Sequence, residues 1–257
     1  MILAVDLNNT STVFAVMDAG KARLISRLAT DKARTADEYA VLLALSFRQR
    51  DFELRQVEGA IISSVVPSLT AVIREAVRIA TGHTALVIGP GVRTGLNIRL
   101  DDPAELGGDF VASAVAAIAD YPLPCVLVVL GTAIAMGILD RSGSYVGGII
   151  GPGPMVSQVA LARGVAMLSN VSVSPTPQVI CRSTNACVQS GLINGSAAMI
   201  DGLLERIEDE LGERVSVVAW GDWADTILPR CRRKGIISDK ELLMRGLWTI
   251  YGKNRRA

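Results

Sequence analysis

The sequence predicts an α/β fold of two similar domains, each opening with a three-strand meander and continuing into helices. Three observations carry that prediction. A strand, a polar corner, a second strand, a turn and a third strand occupy residues 2–28, and the same series returns over residues 125–150. Between and after these meanders, helical periodicity alternates with short β-rich runs. Apolar residues make up 50% of the 257-residue chain but aromatics only 4%, so Val, Ile, Leu and Ala must fill the cores. That length suits one large domain or two of ordinary size. The repeat selects two, expected at residues 1–118 and 119–257.

The first strand, from Met1, ends on a carboxylate, Asp6. An ionised group there is costly unless it is paired or meets a cation; the other reading is an Asp that caps its own turn. The corner Asn8-Asn9-Thr10-Ser11 leads to a strand at Val13–Met17, and the Ala19-Gly20 turn to a third at Ala22–Leu28. Tyr39, Val41, Leu42 and Leu45 set helical spacing within residues 35–50, with Thr35 as a cap before Asp37 and Glu38. Gly59–Val66 is a short buried strand stopped by Pro67, residues 68–81 an amphipathic helix, and Ala85–Ile88 a strand before the loop Gly89-Pro90-Gly91. Residues 94–103 are polar and irregular. Pro103 opens a helix led by Asp102, and beyond Gly107-Gly108-Asp109 the Ala- and Val-rich residues 110–118 are helical.

Cys125–Leu130, the corner Gly131-Thr132, Ala133–Leu139, the turn Asp140–Gly143 and Tyr145–Ile150 then repeat the opening pattern. Helices are expected over residues 155–168 and 184–211, the latter broken near Gly191 to Gly195. A strand follows at residues 215–220, and helices at 223–227 and 240–251. Two halves facing across a cleft, each presenting a hairpin corner of small residues and free backbone N–H groups, suit phosphate. Neither G-x-x-x-x-G-K-[ST] nor G-x-G-x-x-G occurs, which excludes the two commonest nucleotide motifs.

Composition narrows the function classes. A formal net charge of +1 gives no general pull toward nucleic acid or an acidic membrane. The basic runs Arg230–Lys234 and 253–256 read as solvated surface. Four cysteines without a C-x-x-C, and a single histidine, argue against structural zinc and a disulfide framework and fit a reducing cytoplasm. No secretory signal is visible, because Asp6 interrupts the first apolar run. The uncharged stretches 121–139 and 142–162 are broken by Gly and Pro and flank a turn, so they read as buried strands rather than membrane spans.

The segments MILAVDLNNTSTVF, IISSVVPSL, TGLNIRLDDPAELGGD, GTAIAMGILDRSGSYVGGIIGPG and QSGLINGSAAMIDGLLERI together resemble the type III pantothenate kinases. The resemblance runs over residues 1 to 211 and weakens after that. That family belongs to the acetate and sugar kinase/Hsp70/actin superfamily of duplicated ribonuclease-H-like domains around a nucleotide cleft. The resemblance implies ATP-dependent phosphorylation of pantothenate in the first step of coenzyme A synthesis, with magnesium and a monovalent cation (potassium or ammonium), by a cytoplasmic homodimer.

It also implies roles. Asp6 matches the magnesium-holding aspartate of the first phosphate loop, which spans Asp6, Leu7, Asn8, Asn9, Thr10, Ser11, Thr12 and Val13. Gly131 and Thr132 match the second phosphate loop, and Gly221 the glycine turn against the adenosine. Asp109, in Gly107-Gly108-Asp109-Phe110, matches the catalytic base. Leu100, Gly107, Gly108, Phe110 and Thr184 fall at pantothenate-contacting positions.

Several residues depart from the family pattern. Asn8 replaces a glycine, a mild exchange because Asn tolerates left-handed backbone. Leu100 replaces a tyrosine and Phe110 an arginine. Loss of that arginine's charged hydrogen bond to an anionic substrate is worth about 1.5–3 kcal/mol. Val129 stands where an aspartate helps hold the monovalent cation, and a valine ligates none. Asp222 replaces a glycine beside the adenosine. Three readings follow: a working pantothenate kinase with altered cation dependence; a catalytically impaired paralogue that keeps fold and dimer for a ligand- or partner-binding role; and a kinase for a related, uncharged small alcohol.

Overall fold

The structure, a computed structural model, describes residues 1–165, 168, 172–176 and 178–255. Strand alternation sets the plan of its first half. In β1 (Ile2–Leu7) the side chains Leu3, Val5 and Leu7 enter one core, with Tyr39, Phe47, Leu69 and Ile73. Ile2 and Ala4 enter another on the opposite face, with Val111, Val115, Leu247 and Ile250. Asp6 shares the parity of this second set. β1 pairs antiparallel with β2 (Ser11–Asp18), and β2 with β3 (Lys21–Ala29); β4 (Ala60–Ser64) and β5 (Leu86–Val87) join in parallel on the other side. The sheet order is β3-β2-β1-β4-β5.

The second half repeats the connectivity. β6 (Cys125–Leu130), β7 (Ala133–Leu139) and β8 (Tyr145–Pro152) form the antiparallel meander. β9 (Ser216–Trp220) and β10 (Ile236–Ser238) add in parallel, giving β8-β7-β6-β9-β10. Two five-stranded mixed sheets with the same strand order and helices packed on them make the predicted pair of ribonuclease-H-like α/β domains.

The helices obey local rules. Thr35 and Glu38 form a full capping box at the start of α1 (Ala36–Arg48). α2 (Pro67–Thr81) takes Pro67 as its first residue and stops at Gly82, at φ 84°. α3 (Gly108–Asp120) is separate from the short 3-10 turn Pro103–Glu105, in which Asp102 caps Ala104. α4 covers Pro154–Gly164, shorter than the expected 155–168, of which residues 166 and 167 lie outside the described residues. α5 (Thr184–Leu211) runs unbroken through Gly191 and Gly195. Each glycine costs roughly 1 kcal/mol in a helix, and burial of Leu192, Ile193, Ala197 and Ile200 outweighs it. β10 was not expected; three residues are too short to show a period.

The chain divides into two compact units, Met1–Asp120 with Glu241–Ala257, and Tyr121–Lys240. This differs from the expected 1–118 and 119–257 because α7 (Leu242–Arg255) follows α6 (Ala224–Ile227) and β10 in sequence but packs on α3. A Cβ at Gly246 would overlap the Ala112 carbonyl, so glycine permits that contact. Within the basic run at 230–234, Arg232 and Lys234 are exposed as expected, whereas Arg233 is not. Arg233 donates to both carboxylate oxygens of the buried Glu208, at 2.9 and 2.7 Å, beneath the end of α5.

Candidate active site

The parity of β1 turns Asp6 toward the side covered by α3 and α7. Asp6 is 7% exposed. Its Oδ2 accepts a 2.5 Å hydrogen bond from Asn8 Nδ2, whereas Oδ1 is buried with no partner. Ser63 lies beside Asp6 in parallel register on β4, and its hydroxyl is equally buried without a well-formed hydrogen bond. The first turn of α3 supplies a second carboxylate, the half-buried Asp109. Burial, and then the charge of Asp109, push the Asp6 carboxyl up to about 7; Asn8, Ser63 and Arg27 pull it back only in part. Asp109 is also raised by burial, against the pull of the backbone N–H of Phe110 and its own.

Two glycines let α3 begin here. A Cβ at Gly108 would lie 3.2 Å from Ser63 Oγ and 3.4 Å from Ile88, and one at Gly107 would lie 2.5 Å from Asp109 Oδ1. Gly108 thus lets the helix start lie close to Ser63 and Ile88, and Gly107 leaves room for the Asp109 carboxylate. The stretch leading to Leu100 is anchored by Leu96 and Ile98 on the α3–α7 core, and Leu100 itself is half-buried, as is Phe110. The end of α7 holds the start of that stretch. Asn254 pairs with the N–H and C=O of Arg93, both at 3.0 Å, and Lys253 donates to the Thr94 carbonyl at 2.6 Å.

The corner after Asp6 closes through Asn8 N donating to Ser11 O at 3.2 Å, leaving Asn9 and Thr10 exposed at its tip. Asn8 does not take the left-handed conformation; among the described non-glycine residues only Ala19 and Asp51 do. Its tolerance of that conformation is therefore irrelevant, and its amide serves Asp6 instead. Leu7 and Thr12 are fully buried, so their side chains serve the interior. Thr30, at the end of β3, was not singled out from sequence. Its N–H donates to Thr10 O at 3.1 Å and its hydroxyl to Asn8 O at 2.7 Å, and it pairs with Thr12 Oγ1 at 2.9 Å. Only its place at the end of a meander could have flagged it.

In the second unit, Gly131 and Thr132 turn between β6 and β7. Gly131 N donates to Ala133 O, Gly153 N to Thr132 O, and Trp223 N to Leu130 O, at 3.0, 3.0 and 2.9 Å. A Cβ at Gly153 would overlap the Gly131 and Thr132 carbonyls; one at Gly221 would overlap the backbone of Leu130, and Gly221 has φ +117°. Three chain segments thus meet backbone to backbone at this corner. Gly153 was missed, although Gly-Pro-Gly-Pro directly after a strand is a usable signal. We expect Gly221→Ala to destabilise the protein by at least the roughly 1–3 kcal/mol of backbone strain, with the overlap on the Leu130 backbone adding to it, read as a lower urea midpoint. Val129 pairs across the sheet with Ala135 and Trp220 and presents no oxygen ligand. Asp222 is exposed, and Thr184 is exposed as the first residue of α5, after the cap Ser183.

The residues around Asp6 fit a magnesium ion. Mg²⁺ is held by oxygen, commonly one or two carboxylates together with substrate phosphates. The orphaned Asp6 oxygen, with Asp109 near it, offers that donor chemistry. Among the described residues there is no cluster of three or more His, Cys, Asp or Glu for an all-protein cage, and none is needed for a metal that arrives with a nucleotide.

Comparison with solved structures defines the class first. The fold matches that of a Campylobacter jejuni protein described as a Baf family transcriptional activator (TM-score 0.61, 18% identity, 99% of this chain and 100% of that one). It also matches the activator of 2-hydroxyisocaproyl-CoA dehydratase from Clostridium difficile with bound ADPNP (TM-score 0.59, 9% identity, 100% and 97%). A third match is the inorganic polyphosphate/ATP-glucomannokinase from Arthrobacter (TM-score 0.50, 13% identity, 100% and 99%). The chain shares the fold of these proteins. Within it, the family model of type III pantothenate kinase matches residues 2–206. Type III pantothenate kinases from Moorella thermoacetica and Shouchella clausii are 35% and 38% identical, each over 99% of this chain and 100% of the relative. The chain belongs to the type III pantothenate kinase family.

Proposed function

We propose that the protein is a working kinase that moves the terminal phosphoryl group of ATP to the hydroxyl of pantothenate, giving 4'-phosphopantothenate for coenzyme A synthesis. The observation that carries this reading is the buried, unpartnered Asp6 oxygen beside a second carboxylate. Such a group is costly unless a cation meets it, and decay of function would leave no reason to keep it. Family membership supports ATP as donor, and so does the ADPNP in the Clostridium difficile neighbour. Asp6 would hold magnesium, which when bound would supply positive charge against that developing on the phosphate oxygens. Asp109 accepts the proton of the substrate hydroxyl. A carboxylate raised by burial is a stronger base than one in water, which favours that transfer. The exposed tip at Asn9 and Thr10 offers amide and hydroxyl donors to phosphate; at the Gly131-Thr132 corner of the second unit the Gly131 N–H is already given to Ala133 O, which leaves the Thr132 hydroxyl.

With valine at 129, turnover needs no added potassium or ammonium. The exposed apolar side chains Ile150, Val156 and Ile180 support a homodimer, and four free cysteines support a cytoplasmic location. No helix among the described residues is long and apolar enough to cross a membrane. The test is a coupled ATP-consumption assay with pantothenate and magnesium, with and without potassium. Turnover within tenfold of an ordinary enzyme rate of about 10 s⁻¹ is expected. Retained Mg-ATP binding with no turnover on pantothenate or on neutral pantothenate amides would sink the kinase reading and leave the impaired paralogue. Faster turnover of the amides would favour the uncharged alcohol suggested by Leu100 and Phe110.

A further inference from the structure

The reaction outlined above does not use Arg27, a cation on the sheet that carries Asp6. Cross-strand register sets Ser63, Asp6, Val13 and Arg27 in one row across β4, β1, β2 and β3. Directly opposed residues point to the same face of a sheet, so Arg27 emerges on the face of Asp6. Two strand spacings, about 10 Å, separate them. That is a separation between backbones, and the length of an arginine side chain brings a phosphate group bound near Asp6 within its reach. Arg27 is not a loose surface side chain. Its Nη1 donates to Ser11 Oγ at 3.2 Å, in the corner that follows Asp6. Three residues on, Thr30 ties the end of β3 to the same corner through Thr10, Asn8 and Thr12. The guanidinium is exposed, and its charge already reaches the Asp6 carboxyl.

We propose that Arg27 binds the phosphate chain of the nucleotide, as the cationic end of the row that begins at Ser63 and Asp6. This rests on the kinase reading. Asp6 and Asp109 concentrate negative charge where a polyphosphate must come, and a magnesium ion answers only part of it. A guanidinium presents paired N–H donors that match phosphate oxygens. Arg27 thereby holds the phosphate chain over the Asn8–Ser11 corner and against drift toward solvent.

The test compares wild type with Arg27→Gln and Arg27→Lys. Calorimetric titration with Mg-ATP should show about ten- to hundredfold weaker binding for the glutamine variant, the effect of one lost charged hydrogen bond. Lysine should recover part of it. KM for ATP should rise in step while KM for pantothenate and the melting temperature stay at wild-type values. Added salt should weaken ATP binding less steeply in Arg27→Gln than in wild type. Unchanged Mg-ATP affinity in Arg27→Gln overturns the proposal, as does an equal rise in both KM values, which would mark a merely structural arginine. A wild type that binds Mg-ATP but turns over no substrate refutes the kinase reading and leaves the binding comparison decisive for Arg27. A wild type that binds no Mg-ATP refutes both.

Discussion

Asp109→Asn should lower kcat with pantothenate by about 10²–10⁴-fold, the range for removal of a positioned general base, with KM for ATP close to wild type. The substitution keeps the side chain's volume and its place in the first turn of α3. It removes only the capacity to accept a proton. The pH profile offers a second readout. Burial raises the Asp109 carboxyl, so in saturating magnesium, where the ionisation of Asp6 no longer limits the rate, wild-type turnover should climb with pH through a limb above the usual carboxylate range, and Asp109→Asn should lack that limb. The variant should also be more stable than wild type in neutral, metal-free buffer, because it deletes one of two repelling charges. A kcat within about threefold of wild type would reduce Asp109 to a residue of the helix start and end its role as base.

Much of this site was legible from residue order. Strand alternation places Asp6 on the face opposite Leu3, Val5 and Leu7, and the recurring meander announces a duplicated domain. The glycines at 107, 108 and 221 announce close approaches, and each meets a neighbour that a Cβ would crowd. What could not be read was anything fixed by distant pairing. The row from Ser63 to Arg27 depends on the register of three strand pairs, and no local pattern encodes it. The clamp of Thr30 on Asn8 and Thr12 spans 22 and 18 residues. The return of α7 to α3 depends on a glycine at 246 that looks, in sequence, like a helix weakness. Asn8 is a different case. Its place in the corner suggests backbone freedom, but what it supplies is a side-chain hydrogen bond to Asp6.

Asp6→Asn should abolish magnesium-dependent turnover and, in the same molecule, stabilise the metal-free protein at alkaline pH. The sign follows from the raised carboxyl. In the folded state it titrates near 7, against an ordinary aspartate value of 3.8. Its contribution to stability is therefore fully present below pH 4 and is lost as pH rises through 7. A difference of about three pH units corresponds to roughly 4 kcal/mol. Metal-free wild type should lose about that much between pH 4 and pH 8 in urea unfolding, relative to Asp6→Asn, in which this part of the profile is flat. Magnesium with nucleotide should restore wild-type stability and leave the variant unmoved, because binding to the native state adds stability only where a site exists. Binding should also release a proton near neutral pH. With half-ionisation near 7, the ionised fraction of Asp6 falls about tenfold from pH 8 to pH 6, and magnesium affinity should fall with it. Equal pH profiles for the two proteins would mean that Asp6 is already paired in solution, and its role as the cation ligand would have to be given up. A site that weakens the fold when empty, and regains that stability when metal and nucleotide arrive, couples the binding of ATP to the order of the strand end that holds it.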